Sequence, residues 1–143
     1  MLLNEQEQQE IRQAIEIAEK ATSGEIRVCI EKKCSEDVLD RAANYFAKLG
    51  MQQTALRNGV LIYVAVDDHK FAIIGDAGIN KLVAKDFWDS TKEAMLQHFK
   101  QGRLAAGICT GIQMAGEQLR TFFPYQDDDK DELSNDIAFF NGD

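Results

Sequence analysis

The run GVLIYVAV, Gly59–Val66, constrains the fold of this chain more than any other stretch. Nearly every residue in it is apolar, and several are β-branched or aromatic, as is typical of β-strands. A strand with one solvated face would alternate apolar and polar residues, whereas an unbroken apolar strand is covered on both faces. The run therefore predicts a central strand of a sheet with helices packed on both sides.

Helical and strand-like patterns alternate before this run. Asn4, with Glu7 three residues later, predicts a capped helix that ends near Thr22. The segment EIRVCIEKK alternates Ile26, Val28 and Ile30 with other residues and predicts a strand. A second helix is expected from a cap at Ser35 to Gly50.

After the run, DDHK predicts a tight turn into the antiparallel strand FAIIG. Two further helices are expected, one capped by Asp86 and one that follows Gly102 and ends at Pro124. Near the C-terminal end, Ile137–Phe140 predicts a short edge strand, and Gln126–Ser134 is expected to be mobile.

This order of elements predicts an α/β fold, a three-layer α/β/α sandwich around a mixed, mostly parallel sheet of about four strands. The first two strands flank a crossover helix and should be parallel, with a right-handed connection. We expect a single domain over residues 1–125 and an acidic C-terminal tail over residues 126–143.

Charge and composition exclude several classes of protein. The formal net charge is -8, of which seven acidic residues and one lysine place -6 in the tail, leaving -2 for residues 1–125. The absence of a basic cluster argues against nucleic-acid binding, and no apolar run is long enough to cross a membrane. The N-terminal sequence has no signal-peptide pattern, and the three cysteines form no CxxC pair. We therefore expect a cytoplasmic protein with free thiols, and we favour a monomer.

Strand direction predicts that three polar loops meet at one edge of the sheet. Two parallel strands start there, at Glu25 and after Asn58, and the antiparallel strand finishes there, before Asp76; Asp86 can join them from the start of its helix. Carboxylate and amide oxygens suit calcium or magnesium. The alternative is structural, with Asn58-Gly59 as a turn and Asp86 as a helix cap.

The chain also resembles the TPM-domain family over roughly Asn4–Phe123. The matching segments, in the family's order, are TSGEIRVCIE, RNGVLIYVAVDDHKFAIIGDAGIN, DFWDSTKEAMLQHFKQG and LAAGICTGIQMAGEQL. The resemblance implies a sheet between helices, a divalent-metal site at Glu25, Asn58, Asp76 and Asp86, and acid phosphatase activity as in some plant relatives. Where relatives often have a Gly-x-Gly-Leu-Glu loop, this chain has GDAGIN, with Asn80 near the place of the glutamate. Many relatives carry an export or membrane-anchor segment; no such segment is recognised in this sequence, so we do not expect their envelope or thylakoid roles here.

Three functions follow as hypotheses. The first is a calcium- or magnesium-binding domain. The second is a metal-dependent phosphatase acting on phosphomonoesters, with a phosphorylated small molecule or protein as its substrate. The third is a partner-binding module that uses its acidic tail.

Overall fold

The computed structural model describes residues 3–125 and 135–140, which form five helices and four strands in the order α1, β1, α2, β2, β3, α3, α4, α5, β4. Their bounds are α1 Glu5–Glu19, β1 Glu25–Glu31, α2 Val38–Lys48, β2 Gly59–Ala65, β3 Lys70–Gly75, α3 Ala77–Asn80, α4 Asp89–Lys100, α5 Leu104–Phe122 and β4 Ala138–Phe140. None of the helices in these described ranges combines the length and the apolar character needed to cross a lipid bilayer.

The sheet has the strand order β3-β2-β1-β4 and is mixed, as predicted. β1 is parallel to both β2 and β4, whereas β3 is antiparallel to β2. β2 is buried along its whole length. Helices α1, α4 and α5 contribute to the core on one face, and α2 contributes to the core on the other, so the three-layer α/β arrangement is confirmed.

Local sequence explains why the first helix starts where it does. The Asn4 side chain accepts a hydrogen bond of 2.7 Å from the Glu7 backbone amide, and the Glu7 carboxylate accepts one of 3.0 Å from the Asn4 amide. This is the predicted capping box. Ile11, Ile15 and Ala18 then face the core at helical spacing.

Two helix starts differ from the sequence predictions. α2 is capped by Asp37, whose carboxylate accepts bonds from the Leu39 and Asp40 backbone amides, and not by Ser35. α4 starts at Asp89 and has no side-chain cap, so Asp86 does not cap it. The cause is packing, because Trp88 is buried against the core with its ring edge-on to Phe87, which holds this segment in turns before the helix begins.

The short strand β4 forms one edge of the sheet, and Cys29, Ile30 and Glu31 of β1 are its partners. The segment Gln126–Ser134, which the sequence predicts to be mobile, lies outside the described residues. All three cysteines carry free thiols in the structure. Cys29 and Cys34 are buried.

A buried carboxylate joins α2 to the sheet at the end of β1. Glu31 is fully buried and accepts hydrogen bonds from Arg41 Nε and Nη2, at 2.9 and 2.7 Å. The hydroxyl groups of Tyr45 and Tyr63 each donate a further bond of 2.5 Å to Glu31. A buried charge is stable only when it is paired and hydrogen-bonded, and this one has four donors.

The Glu31 environment shifts the pKa values of the groups around it. Burial raises the pKa of Glu31, but the hydrogen bonds from Arg41, Tyr45 and Tyr63 outweigh it and lower the pKa from 4.5 to about 2. The pKa of Tyr45 rises to about 12, through burial and its bond to Glu31. Because the folded pKa of Glu31 is lowered, its contribution to stability is complete above pH 4.5 and is lost as the pH falls toward 2.

We predict that Tyr63→Phe lowers the free energy of unfolding by about 1–3 kcal/mol at pH 7, because Glu31 stays buried and loses one donor. The difference from the parent should shrink between pH 4.5 and pH 2, as Glu31 becomes protonated. Urea denaturation at several pH values measures both effects. The exposed Tyr125 gives a matched control, since Tyr125→Phe should change stability by less than ~0.5 kcal/mol. Equal effects of the two variants would contradict a stabilising Glu31 network.

Candidate metal-binding edge of the sheet

Three loops meet where β1 and β2 start and β3 ends. The Glu25 backbone amide donates to the Asn58 carbonyl oxygen at 3.3 Å, and the Asp76 amide donates to the Gly59 carbonyl oxygen at 2.9 Å. The parallel register that pairs Glu25 with Gly59 produces the first contact, and the antiparallel β2–β3 ladder produces the second. The structure therefore brings Glu25, Asn58 and Asp76 to one edge of the sheet.

Strand alternation places the two acidic residues on the same face. In β1, Ile26 and Val28 belong to the core under α1, α4 and α5, whereas Cys29 belongs to the core under α2. By the same alternation Glu25 lies on the α2 face, and so does Asp76, which extends β3 in phase with Ala72. Gly59 lies between them and has no side chain. Two strand spacings of ~4.8 Å put the Cα atoms of Glu25 and Asp76 roughly 10 Å apart.

The side chains at this edge are withdrawn from solvent. Glu25, Asn58 and Asp76 are 3%, 2% and 6% exposed, respectively. The Asn58 amide nitrogen Nδ2 is buried and has no hydrogen-bond partner. Buried polar groups normally have partners, so the orphaned Nδ2 is a candidate contact for a bound water or ligand.

Asp76 is held by two neighbours. Arg57 Nε donates to Asp76 Oδ2 at 2.8 Å, and Arg57 Nη2 donates to Oδ1 at 2.9 Å, which makes a two-pronged ion pair. The Ala77 backbone amide donates to Oδ1 at 2.7 Å, because Asp76 is the N-cap of the short helix α3. Burial raises the pKa of Asp76, but these bonds more than compensate and keep its pKa below the ordinary value.

Close packing of backbone fixes the loop that carries Arg57. The Gly78 amide donates to the Arg57 carbonyl oxygen at 2.9 Å. A Cβ atom on Gly78 would lie 2.3 Å from the Leu56 carbonyl oxygen and 2.5 Å from that of Arg57. Only glycine permits this approach, so the packing of this loop requires Gly78.

The fourth predicted residue differs from the other three. Asp86 is exposed and lies before α4, in the turns that precede the helix. Within residues 3–125 and 135–140, no three His, Cys, Asp or Glu side chains are grouped as metal ligands. The candidate site is therefore limited to the two buried carboxylates and the buried amide, because Asp86 is exposed.

Sequence reasoning missed two features of this edge. The first is α3, because the glycines of GDAGIN suggested a loop; an Asp followed by Ala-Gly-Ile-Asn was the available signal for a helix cap. The second is the pairing of Arg57 with Asp76. Its signal was an arginine at the start of one converging loop and an acidic residue in another.

Together these features define an α/β/α domain with a buried, oxygen-rich sheet edge. The chain belongs to the TPM domain family, whose sequence profile matches residues 1–118. The family resemblance of the sequence is thereby confirmed.

Solved structures show the same fold. The chain is similar to the BA42 protein of the psychrophilic bacterium Bizionia argentinensis, with 51% identity, a TM-score of 0.91 and coverage of 96% of this chain and 95% of that one. It also shares its fold with the N-terminal domain of cg2496 from Corynebacterium glutamicum (12% identity, TM-score 0.66, coverage 95% and 80%). The N-terminal domain of a P. gingivalis protein is a third example (15% identity, TM-score 0.69, coverage of 87% of this chain and 82% of that one). No functionally curated protein of similar sequence was found.

We predict that Gly78→Ala lowers the free energy of unfolding by about 1–3 kcal/mol, because the added methyl group meets backbone atoms that cannot rotate away. Gly75→Ala is the control in the same segment, since its Cβ would lie 3.4 Å from the Ile79 side chain, an ordinary contact. Chemical denaturation of both variants tests this. A Gly78 variant as stable as the parent would contradict the packing described for the Arg57 loop.

Proposed function

We propose that the edge formed by Glu25, Asn58 and Asp76 binds a divalent cation, calcium or magnesium. The observation that carries the proposal is the burial of two carboxylates and an amide at the junction of three loops. Burying carboxylates costs free energy unless positive charge compensates them. Arg57 already offsets the charge of Asp76, and a divalent cation would add a second positive charge beside both carboxylates. Oxygen ligands of this kind suit calcium and magnesium.

Asn58 can offer an oxygen ligand to a cation only when its side-chain amide is turned, because an amide N–H group is a hydrogen-bond donor. Its Nδ2 atom is buried without a partner. The nitrogen and oxygen of a side-chain amide occupy nearly the same shape, so turning the amide by half a rotation exchanges them. In that orientation Oδ1 would take the place of Nδ2 and provide a neutral oxygen ligand next to the carboxylates.

The ligand set is consistent with a cation that keeps part of its hydration shell. Calcium takes six to eight oxygen ligands and magnesium six, with several from water. Glu25, Asn58 and Asp76 supply fewer than that, and water or backbone carbonyl groups would complete either shell. These oxygen ligands therefore disfavour soft metals, but they do not distinguish calcium from magnesium.

We predict that Asp76→Asn weakens calcium binding at least ~10-fold, because it keeps the shape of the side chain and removes its charge. Calorimetric titration measures the affinity, and circular dichroism confirms that the variant is folded. Asp67 in the β2–β3 turn is at the opposite edge of the sheet, so Asp67→Asn is the matched control and should bind like the parent. Equal affinities of the two variants, or no binding by the parent, would refute the site.

Hydrolysis of phosphomonoesters is a second candidate function. One observation favours it, because Arg57 places a half-exposed guanidinium group beside the proposed cation ligands. Arginine matches the geometry of phosphate oxygens, and a divalent cation would polarise a phosphoryl group.

We predict that, if this second function holds, the protein hydrolyses para-nitrophenyl phosphate, that a chelator abolishes the turnover, and that calcium or magnesium restores it. Asp76→Asn should lose the activity and Asp67→Asn should keep it. Turnover that survives the chelator, or that Asp76→Asn retains, would separate hydrolysis from the proposed site. Cation binding without turnover would rule out hydrolysis and leave cation binding as the function of the domain.

A further inference from the structure

We infer that Arg57 competes with the cation for the carboxylate of Asp76. This competition makes the site select divalent over monovalent cations. The inference rests on the proposed cation site. In the ion-free protein the guanidinium group neutralises Asp76, and it has to move into solvent before a cation can reach the carboxylate.

The first ground is that Arg57 already uses the oxygens a cation would need. It donates to both Oδ1 and Oδ2 of Asp76, and the Ala77 amide also donates to Oδ1. A carboxylate offers about four lone-pair positions, and three of them are engaged. A guanidinium group beside a bound dication would also be repelled by it, so the two cations exclude each other.

The second ground is that one partner is fixed and the other can leave. The Asp76 side chain is 5% exposed, caps α3 and lies next to the backbone bond to Gly59. The Arg57 side chain is 50% exposed, on a backbone with a φ of 52° that the packing of Gly78 holds in place. Rotation of the Arg57 side chain into solvent therefore disturbs neither the sheet nor α3.

The ion pair at the other end of β1 shows what a fixed pair looks like. Glu31 and Arg41 also form two bonds, but Glu31 is fully buried and two tyrosines hold it as well. Arg41 is 28% exposed and also bonds Tyr45 and Glu36. Breaking a buried, networked pair is strongly unfavourable because it leaves an uncompensated charge. At Asp76 the Ala77 amide stays in place and the arriving cation replaces the charge of the half-exposed Arg57, so exchange costs less than at Glu31.

The consequence is selection by charge. Exchange of the guanidinium group for sodium or potassium replaces one positive charge with one positive charge, and the ion also loses hydration. Exchange for calcium or magnesium adds a second positive charge next to Glu25 and Asp76. Arg57 thus lowers the apparent affinity for every cation, because only the open form is competent to bind, and it suppresses monovalent ions most.

The test compares the parent with Arg57→Gln by calcium titration in buffers of equal ionic strength that contain either potassium chloride or tetramethylammonium chloride. Arg57→Gln should bind calcium about 5- to 10-fold more tightly than the parent, since no pair has to open. Potassium should compete with calcium in the variant and have little effect on the parent. Arg57→Lys keeps the positive charge but cannot form both hydrogen bonds to Asp76. Its calcium affinity should lie between those of the parent and Arg57→Gln.

Arg103 gives the matched control, because it is exposed at the α4–α5 turn and Arg103→Gln removes the same charge from the far end of the sheet. Its affinity should stay within two-fold of the parent. Thermal melts confirm that each variant is folded. An NMR titration of the parent adds a direct readout, because calcium should move the Arg57 Nε–H resonance toward that of a solvated arginine.

The outcomes separate the two proposals. If the parent binds calcium and Arg57→Gln binds it equally or more weakly, or if the Arg57 Nε–H signal is unchanged at saturation, the inference about Arg57 is overturned and the cation site stands. If neither protein binds calcium, the proposed function itself fails, and the inference fails with it.

Discussion

The parallel pairing of β1 with β2 is the constraint on which the rest of the structure depends. It runs in register from Glu25–Gly59 to Glu31–Ala65. This register places Glu25 beside the loops that carry Arg57 and Asp76, and it places Glu31 where Tyr63 and Arg41 can bond it. A slip by one residue would turn every side chain of β1 to the other face and press both glutamates into the apolar core under α1 and α5.

Among the described residues, two buried carboxylates, Glu31 and Asp76, are paired with arginines, and their surroundings differ. At the end of β1, four donors enclose Glu31 and attach α2 to the sheet. At the opposite edge, Asp76 depends on a half-exposed Arg57 and on one backbone amide. The first pair is stable because it cannot be exchanged, whereas the second is suited to exchange. The proposed exchange of Arg57 for a cation follows from the greater exposure of Arg57 than of Arg41.

Much of the fold could be predicted from the sequence, because strong patterns determine it. The apolar run Gly59–Val66 predicted a covered central strand, and Asn4 with Glu7 predicted the start of α1. The sequence also predicted the meeting of Glu25, Asn58 and Asp76, since strand direction alone determines which loops share an edge.

What failed depends on tertiary packing. The start of α4 follows from the burial of Trp88, and the place of Asp86 follows from the start of α4. The bond between Arg57 and Asp76 joins two loops 19 residues apart, so no local pattern could show it.

The most direct test of the central claim, that the edge formed by Glu25, Asn58 and Asp76 binds a divalent cation, is an amide NMR titration with calcium. Saturable shifts should concentrate at Glu25, Asn58, Asp76 and Ala77, with Asp67 and Asp68 unaffected. Shifts spread over the acidic surface, or none at this edge, would contradict it.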